Sequence, residues 1–329
     1  MGFLASIFFG FVPMLGFAWF VYWLDRYEKE PKLLLGAVFV WGALVAAGFA
    51  YAINTILGLG IFALTNSDAI TEFATGSLIA PPVEEILKGF AVLVVFVFFR
   101  KEFDSVLDGI TYAAIVALGF AATENTYYIY NYGYLENGWG GLLALTLVRV
   151  VLVGWQHPFY TAFFGIGLAT ARLNRNIWIK FLAPSLGLGI AIVAHSAHNT
   201  IATFLDGLGG LLIGALYDWS GWLLMFLIIL WAIRDVRMRV QVELREELQN
   251  GVITLRQYRT ACSSWAQTMA RTGAIFNGHY QDTARFYQLC GELAHKKYQY
   301  VQFGDEGGNL ELIAKTRAEL ARLSLQARS

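Results

Sequence analysis

Seven predominantly apolar runs follow one another along the first part of the chain, at roughly 3–25, 33–57, 76–99, 108–128, 141–171, 181–203 and 211–233. Each approaches or exceeds the ~20 residues that an α-helix needs to cross a bilayer core about 30 Å thick. The predicted fold class is therefore all-α, a polytopic transmembrane helix bundle of about seven spans. The first run lacks a positively charged leader and a small-residue cleavage site, so it reads as a retained helix and not as a signal peptide. An eighth element would have to be re-entrant to keep the alternation of sides, and its expected place is 72–82, ahead of Pro81 and Pro82. Beyond residue 239 the pattern turns mixed and polar. Helical periodicity recurs at about 236–249, 254–272, 279–300 and 309–326, punctuated by Gly273, Gly278 and the Gly304–Gly308 region. Two domains are predicted, a transmembrane domain over 1–239 and a small helical one over 240–329. No repeat and no low-complexity tract interrupts either.

Basic residues orient the bundle. Segment 26–32 carries Arg26, Lys29 and Lys32; 100–107 carries Arg100 and Lys101; 172–180 carries Arg172, Arg175 and Lys180; the exit after the last run carries Arg234, Arg237 and Arg239. The alternate connections, 58–75, 129–140 and 204–210, carry no Lys or Arg. Positive charge gathers on the cytoplasmic side, so the N-terminus is expected outside and residues 240–329 in the cytoplasm.

Composition agrees with a membrane protein. Apolar residues are 57% of the chain and charged residues 15%, against about 45–50% and about 25% in soluble domains. Neither a soluble globule nor a disordered chain has that balance. A formal net charge of zero gives no electrostatic footprint for nucleic acid. Cys262 and Cys290, both in the cytoplasmic domain, are expected as free thiols. His279 and His295 stand too far from other ligand types for a metal site and read as ordinary surface histidines.

Ionisable residues inside apolar spans are costly and are by default functional candidates. Here they are Glu84, Glu85, Lys88, Glu124, Arg149, His157, His195 and His198, with Asn199 beside them. Counted from the charged cytoplasmic end of each helix, Glu85, Glu124, His157 and His195 lie 15, 16, 15 and 15 residues in. At 1.5 Å per residue this is one layer roughly 22–24 Å from the inner boundary, in the outer third of the membrane. Four helices contributing to one layer is what an assembled site requires. Gly187, Ala191, His195 and Asn199 share one helix stripe; Ala117, Phe120, Ala121 and Glu124 share another; Gly154, Thr161 and Gly165 flank the stripe of His157. Small residues beside polar ones let helices close around a pocket.

Glu84 and Lys88 have the spacing of a helical ion pair, acid first, while Glu85 points about 100° away from Glu84. One carboxylate can be neutralised by Lys88 while the other faces the site, and two neighbouring carboxylates in a low dielectric cannot both stay ionised. A carboxylate so poised suits a general base. Arg149 falls at the outer interface, where snorkelling or a structural partner is the expected role. For His198 the residues leave three readings open: a supporting donor, a metal ligand or an interface histidine.

Four motifs occur in order on successive spans. PPVEEILK contains EExxK, GFAATEN contains FxxxE (Phe120 and Glu124), QHPFYTAFFGIG supplies His157, and AHSAHN supplies HxxxN (His195 and Asn199). Together they resemble the PrsW-type intramembrane proteases, within the larger group of CAAX-processing and bacteriocin-processing membrane endopeptidases, over about residues 75–235. The resemblance implies hydrolysis of a peptide bond in or beside the membrane, on a membrane-protein or membrane-proximal peptide substrate. It further implies that Glu84 or Glu85 activates water, that Glu124 assists, and that His195 and Asn199 hold the oxyanion. Lys88 and Phe120 support them. Glu124 replaces a histidine of the wider group and His157 appears one helix later, as in the PrsW branch. Lys88 follows the first Glu by four, where the wider group has an arginine four after the second, and this leaves the base open between Glu84 and Glu85. Asn199 stands where the branch more often has Asp, and an amide is a better oxyanion donor and a poorer metal ligand.

No cofactor is expected on balance. Zinc, if bound, would use His157, His195 and Glu124. An ion- or proton-coupled transporter with a Glu/His relay is the competing class. No nucleic-acid partner is expected; the lipid bilayer is, and so is a cytoplasmic partner for residues 240–329. The resemblance places the protein in a bacterial plasma membrane.

Overall fold

Ser105 and Ser67 illustrate how this apolar chain begins its helices. Each hydroxyl accepts an orphan backbone N–H of the helix that follows, that of its third residue, Asp108 and Ile70 respectively, and Asp108 completes a reciprocal capping box with Ser105. A computed structural model describes residues 1–24, 27–205, 207–305 and 307–326, and among these every regular element is helical. The protein is a helical membrane protein. They form two compact units, Met1–Tyr22 with Glu30–Ile228, and Trp23–Lys29 with Ile229–Ser329. The division thus falls about ten residues ahead of the composition change at 239, because the long last apolar helix carries on into the polar region.

In the first unit α1 is Gly2–Leu24 and α2 is Lys32–Val40; a π-helical stretch, Trp41–Ala46, joins α2 to α3, Ala47–Thr65. Asn66 adopts a left-handed conformation (φ 48°) and ends α3. Then come α4 (Asp68–Phe73), a second π stretch (Ala74–Ile79) and α5 (Ala80–Phe98). Residues 72–82 therefore run straight into α5 and do not turn back, correcting the re-entrant expectation: Pro81 and Pro82 occupy the first turn of a helix, where their missing N–H groups cost least. Next, α6 (Val106–Tyr128) is followed by a π stretch (Ile129–Tyr134) and α7 (Leu135–Thr146), whose backbone leaves helical geometry at Asn137 and Gly138 (φ 60°). A further π stretch, Leu147–Leu152, leads to α8 (Gln156–Arg172), α9 (Ile177–Phe204) and α10 (Gly207–Glu243).

Among the described residues five segments are long and apolar enough to cross a membrane: Gly2–Leu24, Lys32–Thr65, Val106–Arg172, Ile177–Phe204 and Gly207–Gln249. At 19 residues α5 has the length, but its Glu84, Glu85 and Lys88 dilute its apolar character. The apolar run at 141–171 is not one helix. It breaks at Val153–Trp155, so that α8 starts one residue before His157.

All of α6 from 106 to 122 is buried, which is why its sequence lacks a polar face. Its neighbours approach through glycine. A Cβ on Gly165 would overlap the Gly109 carbonyl, and one on Gly109 would overlap that of Gly165, so α6 and α8 cross backbone to backbone. The same holds for Gly187 of α9 against the Phe163 carbonyl.

The second unit adds α11 (Arg245–Gln249), α12 (Leu255–Ala261), α13 (Ser264–Phe276), α14 (Tyr280–Phe303) and α15 (Asn309–Gln326) to the end of α10. Its core includes Tyr27, Val236, Leu244, Phe286, Leu293 and Leu320. Glu247, fully buried, is held by Lys297 Nζ at 3.1 Å and Arg317 Nη2 at 2.6 Å. Cys262 and Cys290 are free and buried, and burial, with the neighbouring Cys262 adding to it, pushes the Cys290 thiol up. His295 is not a surface histidine. It is buried and its Nδ1 pairs with the Glu28 carboxylate, a partner 267 positions away that local spacing could not reveal.

Candidate active site

Glu84, Glu85 and Lys88 leave the first turns of α5, and all three are buried. The helix start that aims them is irregular for a definable reason. In the π stretch the Ala80 N–H bonds the Thr75 carbonyl, five residues back. The next donor in that register, Pro81, has no hydrogen, so the Gly76 carbonyl is left without a helical partner. Asn199 Nδ2, from α9, donates to it at 2.8 Å.

Lys88 Nζ donates to Glu85 Oε1 at 2.6 Å and lies 3.7 Å from Glu84 Oε2 and 3.3 Å from His157 Nδ1. It also sits 4.4 Å from the Phe120 ring centroid, a cation–π contact. An ammonium has no acceptor. His157 Nδ1 therefore accepts, the ring proton resides on Nε2, and Nε2 donates to Glu124 Oε2 at 2.7 Å. The same Glu124 oxygen receives Arg149 Nη2 at 2.6 Å, while Arg149 Nε donates to Asn125 Oδ1 at 3.0 Å. Arg149 thus takes the second of its two expected roles, a structural partner within the cluster and not a snorkelling side chain. It leaves the π stretch before the break that starts α8. That break brings the positive end of α8, with His157 and Pro158 in its first turn, to a group of carboxylates, a favourable arrangement.

The two adjacent carboxylates differ in their partners. Both oxygens of Glu85 are engaged, Oε1 by Lys88 and by His195 Nδ1 at 3.0 Å, Oε2 by the Thr161 hydroxyl at 2.7 Å. Glu84 Oε2 is buried and accepts no hydrogen bond, although His195 Nε2 stands 3.8 Å away. One ligand atom each from Glu84, His157 and His195 lie within 4.8 Å of one another. This set of two imidazoles and a carboxylate is of the kind that holds catalytic zinc through three protein ligands. The carboxylate in it is Glu84, whereas the sequence pointed to Glu124; Glu124 instead holds the outer nitrogen of His157.

Of the residues singled out in the sequence, Glu84, Glu85, Lys88, Phe120, Glu124, His157 and His195 come together. Asn199 reaches the backbone ahead of α5 and not the carboxylates. Three contributors went unrecognised. By sequence Thr161 is only a small residue flanking the stripe of His157, and in the structure its hydroxyl holds Glu85. Tyr160 stacks on His195 with ring centroids 4.9 Å apart. Asp218 of α10, fully buried, bonds Tyr160 and His198. A carboxylate within the run 211–233 was the available signal for Asp218.

Comparison with known proteins supplies the family. Residues 30–233 match the family described as "PrsW family intramembrane metalloprotease". The chain is 28% identical over 235 residues to "Protease PrsW" of Geobacillus kaustophilus, covering 69% of this chain and 89% of the relative. It is 26% identical over 227 residues to "Protease PrsW" of Bacillus subtilis, covering 68% and 88%. No solved structure matches. A chain with this match across its membrane unit, and with residues of all four motifs brought into one cluster, belongs to the PrsW family of intramembrane proteases.

Proposed function

We propose that the cluster cleaves a peptide bond of a membrane-protein or membrane-proximal substrate in the outer half of the bilayer, with Glu84 as the base. The observation that carries this reading is the asymmetry of the pair: Glu85 is fully bonded, and Glu84 keeps a buried oxygen without a hydrogen-bond partner. In the proposed reaction Glu84 takes a proton from water as the water oxygen bonds to the scissile carbonyl carbon. The C–N bond then breaks, and the proton passes to the departing amine. Glu85 holds Lys88 and His195 in place. To serve the developing oxyanion, His195 must carry a proton on Nε2 as well as on Nδ1, and Glu85 at Nδ1 would balance the imidazolium that this requires. Asn199 has a second amide hydrogen beyond the one given to Gly76, and the oxyanion role expected of it depends on that hydrogen.

A metal-dependent form of the same hydrolysis is favoured by one observation, the proximity of Glu84, His157 and His195. These three residues fit a zinc ion, which would supply an activated water. The natural setting we propose is a bacterial plasma membrane, N-terminus outside and residues 240–329 in the cytoplasm, where that module receives a partner. Full-length protein in liposomes, incubated with a panel of membrane proteins, tests the reading by mass spectrometry of the products. Cleavage by the wild type and none by Glu84→Gln supports it; equal cleavage by both sinks it.

A further inference from the structure

Asp218 is a carboxylate inside an apolar helix, outside the four motifs, and fully buried. Such a group costs several kcal/mol in a membrane unless it is partnered. Its Oδ1 accepts from the Tyr160 hydroxyl at 3.0 Å and faces His198 Nδ1 at 3.0 Å. The residues on either side of it also make polar bonds: Tyr217 OH donates to the Ala194 carbonyl and Trp219 Nε1 to the Leu152 carbonyl, both at 2.9 Å. Asp218 is thereby fixed against α8 and α9.

Tyr160 carries that fixation to the catalytic cluster. On α8 Tyr160 and Thr161 follow His157 by three and four residues, so both flank its face, and all three touch the cluster. The Tyr160 ring lies nearly parallel to His195 (20°) with centroids 4.9 Å apart, and meets His157 edge-on at 6.3 Å. His195 must present Nδ1 to Glu85 and Nε2 to Glu84 at once. A flat ring against one face of the imidazole blocks the rotation that would break this alignment.

We infer that Asp218 is a positioning residue for proteolysis: by holding the Tyr160 hydroxyl it keeps the phenol ring against His195 and so keeps His195 aimed between the two glutamates. This rests on the catalytic reading of the cluster given above. Small misalignments at a reacting centre are expensive, up to about 100-fold for about 1 Å, so a loosened His195 should lower kcat by about 10-fold.

The experiment compares Asp218→Ala, Asp218→Asn, Tyr160→Phe and the double variant Asp218→Ala/Tyr160→Phe as full-length protein in liposomes, with kcat, KM and melting temperature measured for each. Asp218→Ala and Tyr160→Phe should each lower kcat about 10-fold with KM unchanged. The double variant should be no worse than the more impaired single, because both remove one linkage. Asp218→Asn should keep most of the activity, since its amide oxygen still accepts the hydroxyl. Additive losses, wild-type kcat in Asp218→Ala, or an Asp218→Asn as impaired as the alanine variant would overturn the inference. Should Asp218→Ala fail to fold, Tyr160→Phe and Asp218→Asn still decide: a tyrosine hydroxyl whose loss leaves kcat intact ends the proposal. His195→Ala separates the two levels. Inactive His195→Ala with normal Asp218→Ala sinks only this linkage, while active His195→Ala sinks the catalytic reading and the linkage with it.

Discussion

Replacing Glu84 and Glu85 separately by glutamine should give two different failures. Glu84→Gln removes a proton acceptor and little that holds the fold, because Oε2 accepts no hydrogen bond and the Lys88 ammonium is 3.7 Å away. Loss of a general base costs about 10²–10⁴ in rate, equal to about 3–5 kcal/mol on the barrier, with the melting temperature nearly unchanged. Glu85→Gln removes the closest counter-charge of Lys88, which is fully buried and 2.6 Å from it. Breaking a buried pair typically costs about 3–5 kcal/mol. Glu84 is near enough to take over part of the pairing, so the lower end, about 3 kcal/mol, is expected. For a unit of this size that corresponds to a fall of roughly 6–12 °C in Tm. Tryptophan fluorescence in detergent gives Tm, and turnover of a membrane substrate in liposomes gives kcat. A normal kcat for Glu84→Gln beside a folded, inactive Glu85→Gln would show that the base has been assigned to the wrong carboxylate. Normal turnover by both would remove the chemistry from this cluster.

Three shorter predictions concern the metal, pH and orientation. Metal-depleted protein should still cleave if Glu84 works alone; activity lost on chelation and restored by zinc, together with zinc binding that needs both His157 and His195, would demote the glutamate-only mechanism. In the second unit burial opposes ionisation of Glu28, but His295 and Lys296 outweigh it and hold the carboxyl below the usual range. A depressed carboxylate stabilises the fold above its ordinary pKa of about 4.3 and loses that contribution as pH falls through its folded value. Glu28→Gln should accordingly lower Tm at pH 7 and flatten its decline in acid; an unchanged Tm profile refutes the pairing. A reporter fused after residue 240 should read cytoplasmic and one within 129–140 external, and the reverse result would overturn the orientation.

Much of this protein could be read from its sequence because a membrane penalises ionic groups so heavily. Glu84, Glu85, Lys88, Glu124, His157 and His195 stood out against apolar runs, and equal distances from charged helix ends placed four of them at one depth. They do meet in one cluster. What could not be read depends on backbone irregularity and on remote partners. The break at Val153–Trp155 lies inside an unbroken apolar run, with Gly154 and Pro158 as its only marks. For Arg149 a depth count along a straight helix leaves snorkelling and a structural partner both open, and the π stretch and break bring it to its partner, Glu124. The ligand-type side chains of the cluster that converge as a set of three are Glu84, His157 and His195 and not Glu124: a count along the helix cannot say that Glu124 would be held by Arg149. His295 meets its acid in a loop near the other end of the chain.

These irregularities are also how an apolar bundle holds charged groups in place. Backbone groups freed from helical bonding cannot turn to water inside a bilayer and need side-chain partners. Thr123 donates to the Ala43 carbonyl within one π stretch at 2.6 Å, and Asn199 donates to Gly76 within another. The Asn199 bond predicts a coupling. If Asn199 serves the carbonyl that Pro81 leaves unpaired, Asn199→Ala should cost about 1–3 kcal/mol of stability, the usual penalty for an unsatisfied buried acceptor. In a Pro81→Ala background the backbone N–H of residue 81 becomes available to Gly76, and Asn199→Ala should then cost little. Turnover separates this structural role from the catalytic one. An oxyanion donor lost from Asn199 lowers kcat about 10²–10³-fold in both backgrounds, whereas a purely structural asparagine affects activity only where Pro81 is present. Melting curves and kcat for the two singles and the double variant settle the matter, and an equal stability loss with and without Pro81 would refute the proline-based origin of the Asn199 bond.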